Sequence, residues 1–184
     1  ILNGDIHTAN QARAGLESRT QAKTFIYAFL YGAGDAKIGS VVGGNKKTGR
    51  RIKQSFLDNF PTLKSLRHRI TREAEENEYI KALDGRKIFI RSSHAALNSL
   101  LQGAGAIVMK RGLIILDEML QENTVDAHVV ANVHDEWQIE TWHEDVDRLG
   151  EMAVSAIRQA GDYYKLNCPL DAEYKVGENW SETH

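Results

Sequence analysis

Apolar residues near the start of the chain recur at helical spacing. Ala22, Phe25, Ile26 and Phe29 fall on one side of a segment running from Arg19 to Gly32, which predicts a helix with Ser18 or Thr20 as its N-cap. Arg19, Lys23 and Tyr27 lie four apart and so share another side of that helix. Short helices are predicted before it, over residues 5–16, and after it, over 35–42 with Asp35 as cap. Gly43 to Gly49 is rich in glycine and charge and predicts a loop. It lacks Walker A spacing and is not a P-loop. Residues 50–59 read as a basic helix, and Pro61 opens a long polar helix reaching Asn77.

Beyond Asn77 the period changes. Residues 79–83 and 87–90 flank Asp84-Gly85-Arg86, a hairpin turn signal. A long helix follows from His94 to Glu122, with Leu97, Leu100, Leu101, Ala104, Ile107, Val108 and Ile115 expected inside. Its small residues Gly103 to Ala106 would admit a second backbone at close range. Residues 128–133 and 137–141 read as strands, the second alternating in period two, joined at His134-Asp135-Glu136. An amphipathic helix over 144–160 is expected to cover this hairpin, and 172–176 to form a last edge strand. The order is a helical region followed by an α+β region with antiparallel hairpins.

Charge sharpens this division. Residues 1–111 hold 19 Lys and Arg against 9 Asp and Glu, and residues 112–184 hold 4 against 16, although the whole chain is nearly balanced at −2. The basic part favours a phosphate backbone or a triphosphate. The acidic part suits a metal ion or a solvated surface. A single cysteine, Cys168, excludes an internal disulfide framework and a cysteine-based zinc cluster. No apolar run reads as long enough to cross a bilayer and no signal peptide is visible, so a cytoplasmic protein without a membrane partner is expected.

Two groups of residues carry candidate chemistry. Two cations and an aromatic ring on one helical face, Arg19, Lys23 and Tyr27, suit a polyphosphate bearing a flat base, or equally the wet edge of an ordinary amphipathic helix. The carboxylates of Asp135 and Glu136 at a hairpin tip offer the hard oxygen donors that Mg²⁺ prefers, or form a plain polar turn.

Together these segments resemble the family A DNA polymerases, the family of bacterial polymerase I, and within it the replicative polymerases of podophages. The likeness rests on Asp5-Ile-His7-Thr8, the helix from Arg19, Phe29-Leu-Tyr31-Gly-Ala-Gly34-Asp35, His94-Ala-Ala-Leu-Asn98-Ser-Leu-Leu-Gln102 and Val133-His134-Asp135-Glu136, in that order over nearly the whole chain. It implies an incomplete right-hand fold: a fingers-like helical subdomain over 1–78 and the C-terminal part of a palm over 79–184. In that family a first catalytic aspartate lies on a palm strand shortly before the Asp5 segment, so the sequence is expected to lack that strand, the thumb and any exonuclease. It would be an excerpt, a cleaved piece or one subunit of a split enzyme, inactive alone.

The resemblance also implies roles. Asp135 would be a metal ligand, Glu136 a weaker one, for two Mg²⁺ ions in the complete enzyme. Lys23 would approach the triphosphate and act as general acid toward the pyrophosphate. Arg19 and His7 would reach the phosphates. Tyr27 would close over the sugar or base, and Tyr31 would stack near the templating position. Arg86, Asn98 and Gln102 would meet the minor groove, and His134 would steer the primer terminus or Asp135. The partners implied are primer-template DNA, deoxynucleoside triphosphates, the remaining N-terminal portion in cis or as a separate chain, and a processivity factor, in a host cytoplasm. The alternative function is a non-catalytic DNA-binding or scaffold fragment that keeps the fold.

Overall fold

The computed structural model describes residues 5–184. The chain folds as two compact units. One comprises the residues up to Ala82 together with Arg86–Leu101, the other Leu83–Gly85 and Gln102–His184. The first hairpin and the opening turn of the long helix, assigned by sequence to the part beginning at 79, pack with the first unit.

In the first unit α1 (Ile6–Ala14), α2 (Arg19–Leu30), α3 (Asp35–Val41), α4 (Lys46–Asn59) and α5 (Pro61–Asn77) are followed by the strands β1 (Tyr79–Lys81) and β2 (Lys87–Phe89). The strands pair antiparallel, with Tyr79 opposite Phe89 and Lys81 opposite Lys87. Phe25 and Phe29 on α2 meet Phe56 on α4 edge-on, with ring centroids 5.2 and 5.3 Å apart. Such pairs add about 0.5–1.5 kcal/mol each beyond the area they bury. Ala14, Ile38, Ile52, Leu57 and Leu97 complete this core, while Ile70, Ala74, Ile80 and Ala96 form a second cluster that seats the hairpin on α5.

Asp5 ties the first two helices together. Its carboxylate caps α1 by accepting from the backbone N–H of His7 at 3.0 Å and from the Thr8 hydroxyl at 2.7 Å. It also accepts from Nε and Nη2 of Arg19, at the start of α2. The Arg19 guanidinium, followed by the Thr8 hydroxyl, holds the Asp5 carboxyl well below the usual carboxylate range.

Several elements differ from the sequence reading. Ser18, not Thr20, caps α2, accepting from the N–H of Gln21 at 3.2 Å. Asp35 does not cap α3, since Gly34 holds that position. The Asp35 carboxylate instead pairs with Lys53 on α4 at 3.3 Å. The glycine-rich stretch is only partly loop: Asn45 accepts from the N–H of Thr48 at 3.1 Å, so α4 starts at Lys46. Gly49 is then a buried helical residue, and a Cβ there would lie 2.0 Å from the carbonyl oxygen of Asp35. Gly39 is equally confined, 2.0 Å from the carbonyl oxygen of Asn45. These glycines let α3 and α4 cross backbone to backbone.

In the second unit α6 (Ala96–Asn123), which begins in the first unit after a short 3₁₀ turn at 93–95, precedes the hairpin of β3 (Ala127–Val133) and β4 (Glu136–Thr141). The strands are antiparallel, with a bulge between Val129 and Ala131. α7 (Val146–Tyr163) covers the hairpin as expected: Leu149, Met152 and Ala156 pack with Leu116, Leu120, Ala127, Trp137 and Ile139. Residues 172–176 are not a strand. They run extended along α7, where the Tyr174 ring lies over Gly150 and Leu170 over Gly161, with Asp171 paired to Arg158 at 2.8 Å. Side-chain packing on a helix replaces the expected backbone ladder. A last helical turn, α8 (Trp180–Thr183), follows.

α6 is less enclosed than its sequence suggests. Leu97 and Ile107 are buried, but Leu100, Ala104, Val108 and Ile115 are half-buried, and Leu101 and Ile114 are exposed. The stretch Ser93–Asn123 is also long and apolar enough to span a bilayer by length and composition, which corrects the expectation that no run reaches that length. Its many Leu, Ile and Val residues occupy more sides of the helix than its neighbours cover.

Gly49→Ala should lower stability by roughly 1–3 kcal/mol, the usual cost of overpacking, with Gly39→Ala similar and Gly105→Ala, which meets nothing within 4 Å, free of this clash. Chemical denaturation of the three variants checks this. Asp5 gives a pH test. Its folded-state pKa is depressed, so its contribution is present above its unfolded value, about 3.9, and is lost as pH falls through the lower folded value. The melting-temperature gap between Asp5→Asn and the parent should therefore be open at neutral pH and close in strong acid.

Candidate nucleotide face and acidic hairpin

α2 presents its predicted face. Burial of Ala22, Phe25 and Phe29 turns Arg19, Lys23 and Tyr27 outward, and all three are exposed. Lys23 has no ion pair among the described residues. Arg19 is already forked onto Asp5, so its guanidinium is held in place rather than loose. Tyr27 and Tyr31 are 49% and 61% exposed, which removes the reading of either as a core aromatic. His7, on α1, stands with its ring centroid 6.4 Å from that of Tyr27. Its Nδ1 is buried without a hydrogen-bond partner in the structure. Cation, imidazole and phenol thus gather beside one exposed helix face, with an unsatisfied ring nitrogen among them.

Of the other predicted residues, Arg86 and Asn98 lie elsewhere in the first unit and Gln102 belongs to the second. Asn98, half-buried in the first turn of α6, lines a cavity of about 390 Å³ with Lys53, Arg67 and His94. Arg86 sits at the β1–β2 turn, where its carbonyl accepts from the N–H of Ala82 at 2.9 Å. Gln102 is exposed one turn beyond Asn98 on α6.

In the second unit Val133 pairs with Glu136, which leaves His134 and Asp135 as a two-residue turn. His134 has φ of +54°, the left-handed region that favours glycine. Both His134 and Asp135 are exposed. Glu136 is not. Its Oε1 accepts from Trp180 Nε1 at 2.8 Å and from the Gln138 amide, and its Oε2 meets His184 Nδ1 at 2.9 Å. His184, then Gln138 and Trp180, hold the Glu136 carboxyl below its ordinary range. Among the described residues no group of three His, Cys, Asp or Glu is close enough to hold a metal ion. Asp135 offers a free-standing carboxylate, whereas the oxygens of Glu136 are engaged. The roles of Asp5, Gln138, Trp180 and His184 were not read from the sequence. Asp5, Trp180 and His184 act on partners 14, 44 and 48 residues away, which no local spacing marks, while Gln138 reaches Glu136 two residues off.

A family model described as DNA polymerase family A matches residues 3–182. The DNA-directed DNA polymerases of Enterobacteria phage T3 and Escherichia phage T7 are each 44% identical over 205 residues, covering 100% of this chain and 29% of their own length. That of Escherichia phage Phieco32 is 42% identical and covered over 31%. The chain thus spans under a third of these relatives. Among solved structures, the POL domain of Pol1 from M. smegmatis, in complex with DNA primer-template and dNTP, matches with a TM-score of 0.77 at 18% identity, covering 86% of this chain and 32% of that one. At that identity the likeness speaks for the fold: a helix-dominated polymerase domain with small antiparallel sheets. This chain belongs to DNA polymerase family A.

Proposed function

We propose that the chain is the fingers and C-terminal palm portion of a template-directed DNA polymerase that extends a primer with deoxynucleoside triphosphates in the cytoplasm, a host cytoplasm if it is phage-encoded. The observation that carries this reading is the α2 face, where exposed Lys23 and Tyr27 stand one turn apart beside His7. On that face the triphosphate lies along Arg19, Lys23 and His7. Arg19 offers Asp5-anchored guanidinium charge and Lys23 a compact, mobile one. Tyr27 covers the sugar, and Tyr31 stacks toward the template. Arg86, Asn98 and Gln102 contact the minor groove, whose acceptors are shared by all base pairs.

In the reaction the primer 3′-hydroxyl gives up its proton to water and attacks the α-phosphorus. The bond to the pyrophosphate oxygen breaks, and Lys23 donates a proton to that leaving group and recovers one from solvent. Asp135, held on a rigid hairpin, would hold Mg²⁺, which supplies charge for the attacking and leaving oxygens. Glu136 contributes its charge nearby, and His134 steers the primer terminus. The described residues fit part of such a metal site, since Asp135 supplies one hard carboxylate. The remaining donors come from the rest of the polymerase, in cis or from a separate chain, as do the thumb and any contact with a processivity factor.

Residues 1–184 alone should give no primer extension above background with Mg²⁺ and four nucleotides. In the full-length polymerase Asp135→Ala should remove nearly all turnover while DNA binding falls far less, because a metal ligand acts in the transition state. Gel shift and extension on the same variant decide this. Near-native extension would make Asp135 a plain turn residue.

On α2 the two residues separate. Lys23→Ala should slow incorporation and weaken nucleotide binding. Tyr27→Phe should incorporate deoxynucleotides normally yet discriminate more strongly against dideoxynucleotides. Single-nucleotide kinetics with both substrates checks the pair, and an unchanged selectivity ratio in Tyr27→Phe would separate that ring from the sugar.

A further inference from the structure

The short tail of the second unit carries more polar chemistry than its size requires. α8 is built by its own local bonds. Asn179 accepts from the N–H of Ser181 at 3.1 Å, and Glu182 accepts from the N–H of Glu178 at 2.9 Å and from the Asn179 amide at 2.8 Å. That leaves the Trp180 indole and the His184 ring free to reach β4. Trp180 remains 48% exposed, so burial of its ring is not its main contribution. Its N–H points at Glu136 Oε1. Thr183 adds a second constraint: its hydroxyl donates to Gln138 Oε1 at 3.0 Å, which leaves the Gln138 amide nitrogen turned to Glu136. The tail thereby fixes Glu136 directly through Trp180 and His184 and indirectly through Gln138.

We propose that Trp180 and His184 are positioning residues for the acidic hairpin: by engaging both oxygens of Glu136 they lock the first residue of β4, and so fix the aim of the neighbouring Asp135. The argument is geometric. The turn has only two residues, and its first, His134, sits in a backbone region that does not hold itself. β3 carries a bulge and cannot stiffen the pair along its full length. The end of β4 nearest the turn is therefore secured by side-chain bonds from the tail rather than by the ladder alone. The buried indole nitrogen of Trp137, one residue away, finds no hydrogen-bond acceptor, so Glu136 is engaged by the distant indole and not by the adjacent one. This inference rests on the polymerase reading above.

The test uses the full-length polymerase. Trp180→Phe keeps a smaller aromatic side chain and removes one donor to a charged acceptor, a bond whose loss corresponds to about a tenfold change in rate. Single-turnover incorporation at saturating nucleotide should slow by about that factor, and more Mg²⁺ should be needed for half-maximal rate, with the primer-template Kd and the melting temperature nearly unchanged. His184→Gln, which retains a donor, should restore much of what His184→Ala loses.

The deciding measurement is the double variant. If Trp180 acts through Glu136, Trp180→Phe should add nothing in a Glu136→Ala background, which has no acceptor left for the indole. A normal rate and Mg²⁺ requirement in Trp180→Phe, or effects that simply multiply in the double variant, would overturn the positioning role. Asp135→Ala run in parallel keeps the two readings apart. Its loss of turnover beside an unaffected Trp180→Phe condemns only the positioning role, whereas its retention of turnover condemns the metal-ligand role of Asp135 on which the positioning role rests.

Discussion

Phe25 and Phe29 lock one side of α2 against Phe56, and a helix that turns about 100° per residue then has no choice over where Arg19, Lys23 and Tyr27 point. The presented face follows from the buried one. Asp5 sharpens the arrangement by holding Arg19 at the start of the helix while capping α1, so the helix that carries His7 and the helix that carries Tyr27 share an anchor. The close crossing at Gly39 and Gly49 then ties α3 to α4, which supplies Phe56. Remove the aromatic lock and α2 would depend on contacts such as Ala22, Ile26 and the Arg19–Asp5 pair to set its rotation about its axis.

The second unit solves a different problem, that of holding a carboxylate at the tip of a two-stranded ribbon. Such a ribbon is marginal by itself. α7 covers one face, and packing of Leu149, Met152 and Ala156 on Trp137 and Ile139 holds the strands in register. The bulge throws Val130 outward, 62% exposed, and the tail grips the strand end closest to the turn. Support for the strands that carry Asp135 thus comes from α7 and from the tail, neither of them within the turn.

Legibility in the sequence followed the range of the interactions. Helices α2 and α5, both hairpins and α7 were readable because period, cap and turn signals are local: Pro61 at the start of α5 and Asp84-Gly85 in the turn each fix their own neighbourhood. The start of α4 and the state of 172–176 were not. Gly49 looked like a loop residue because glycine has two uses, and only the carbonyl of Asp35 above it shows that close approach is the one at work. Tyr174 looked like a strand residue because its alternation is the same whether its backbone pairs with a strand or its ring lies on Gly150. In the site, Lys23 and Tyr27 could be read from spacing. That Arg19 is already spoken for by Asp5, and Glu136 by residues 44 and 48 positions further on, could not.

His134 carries a consequence for anyone who would redesign this protein. A left-handed φ at a non-glycine residue is a standing local penalty, and a procedure that ranks substitutions by thermal robustness will favour glycine there. The resulting molecule would melt later with its hairpin intact, yet the imidazole beside Asp135 would be gone. With the primer-steering role proposed for His134, robustness and usefulness pull in opposite directions at this one backbone angle, so melting temperature is the wrong quantity by which to choose variants of this turn.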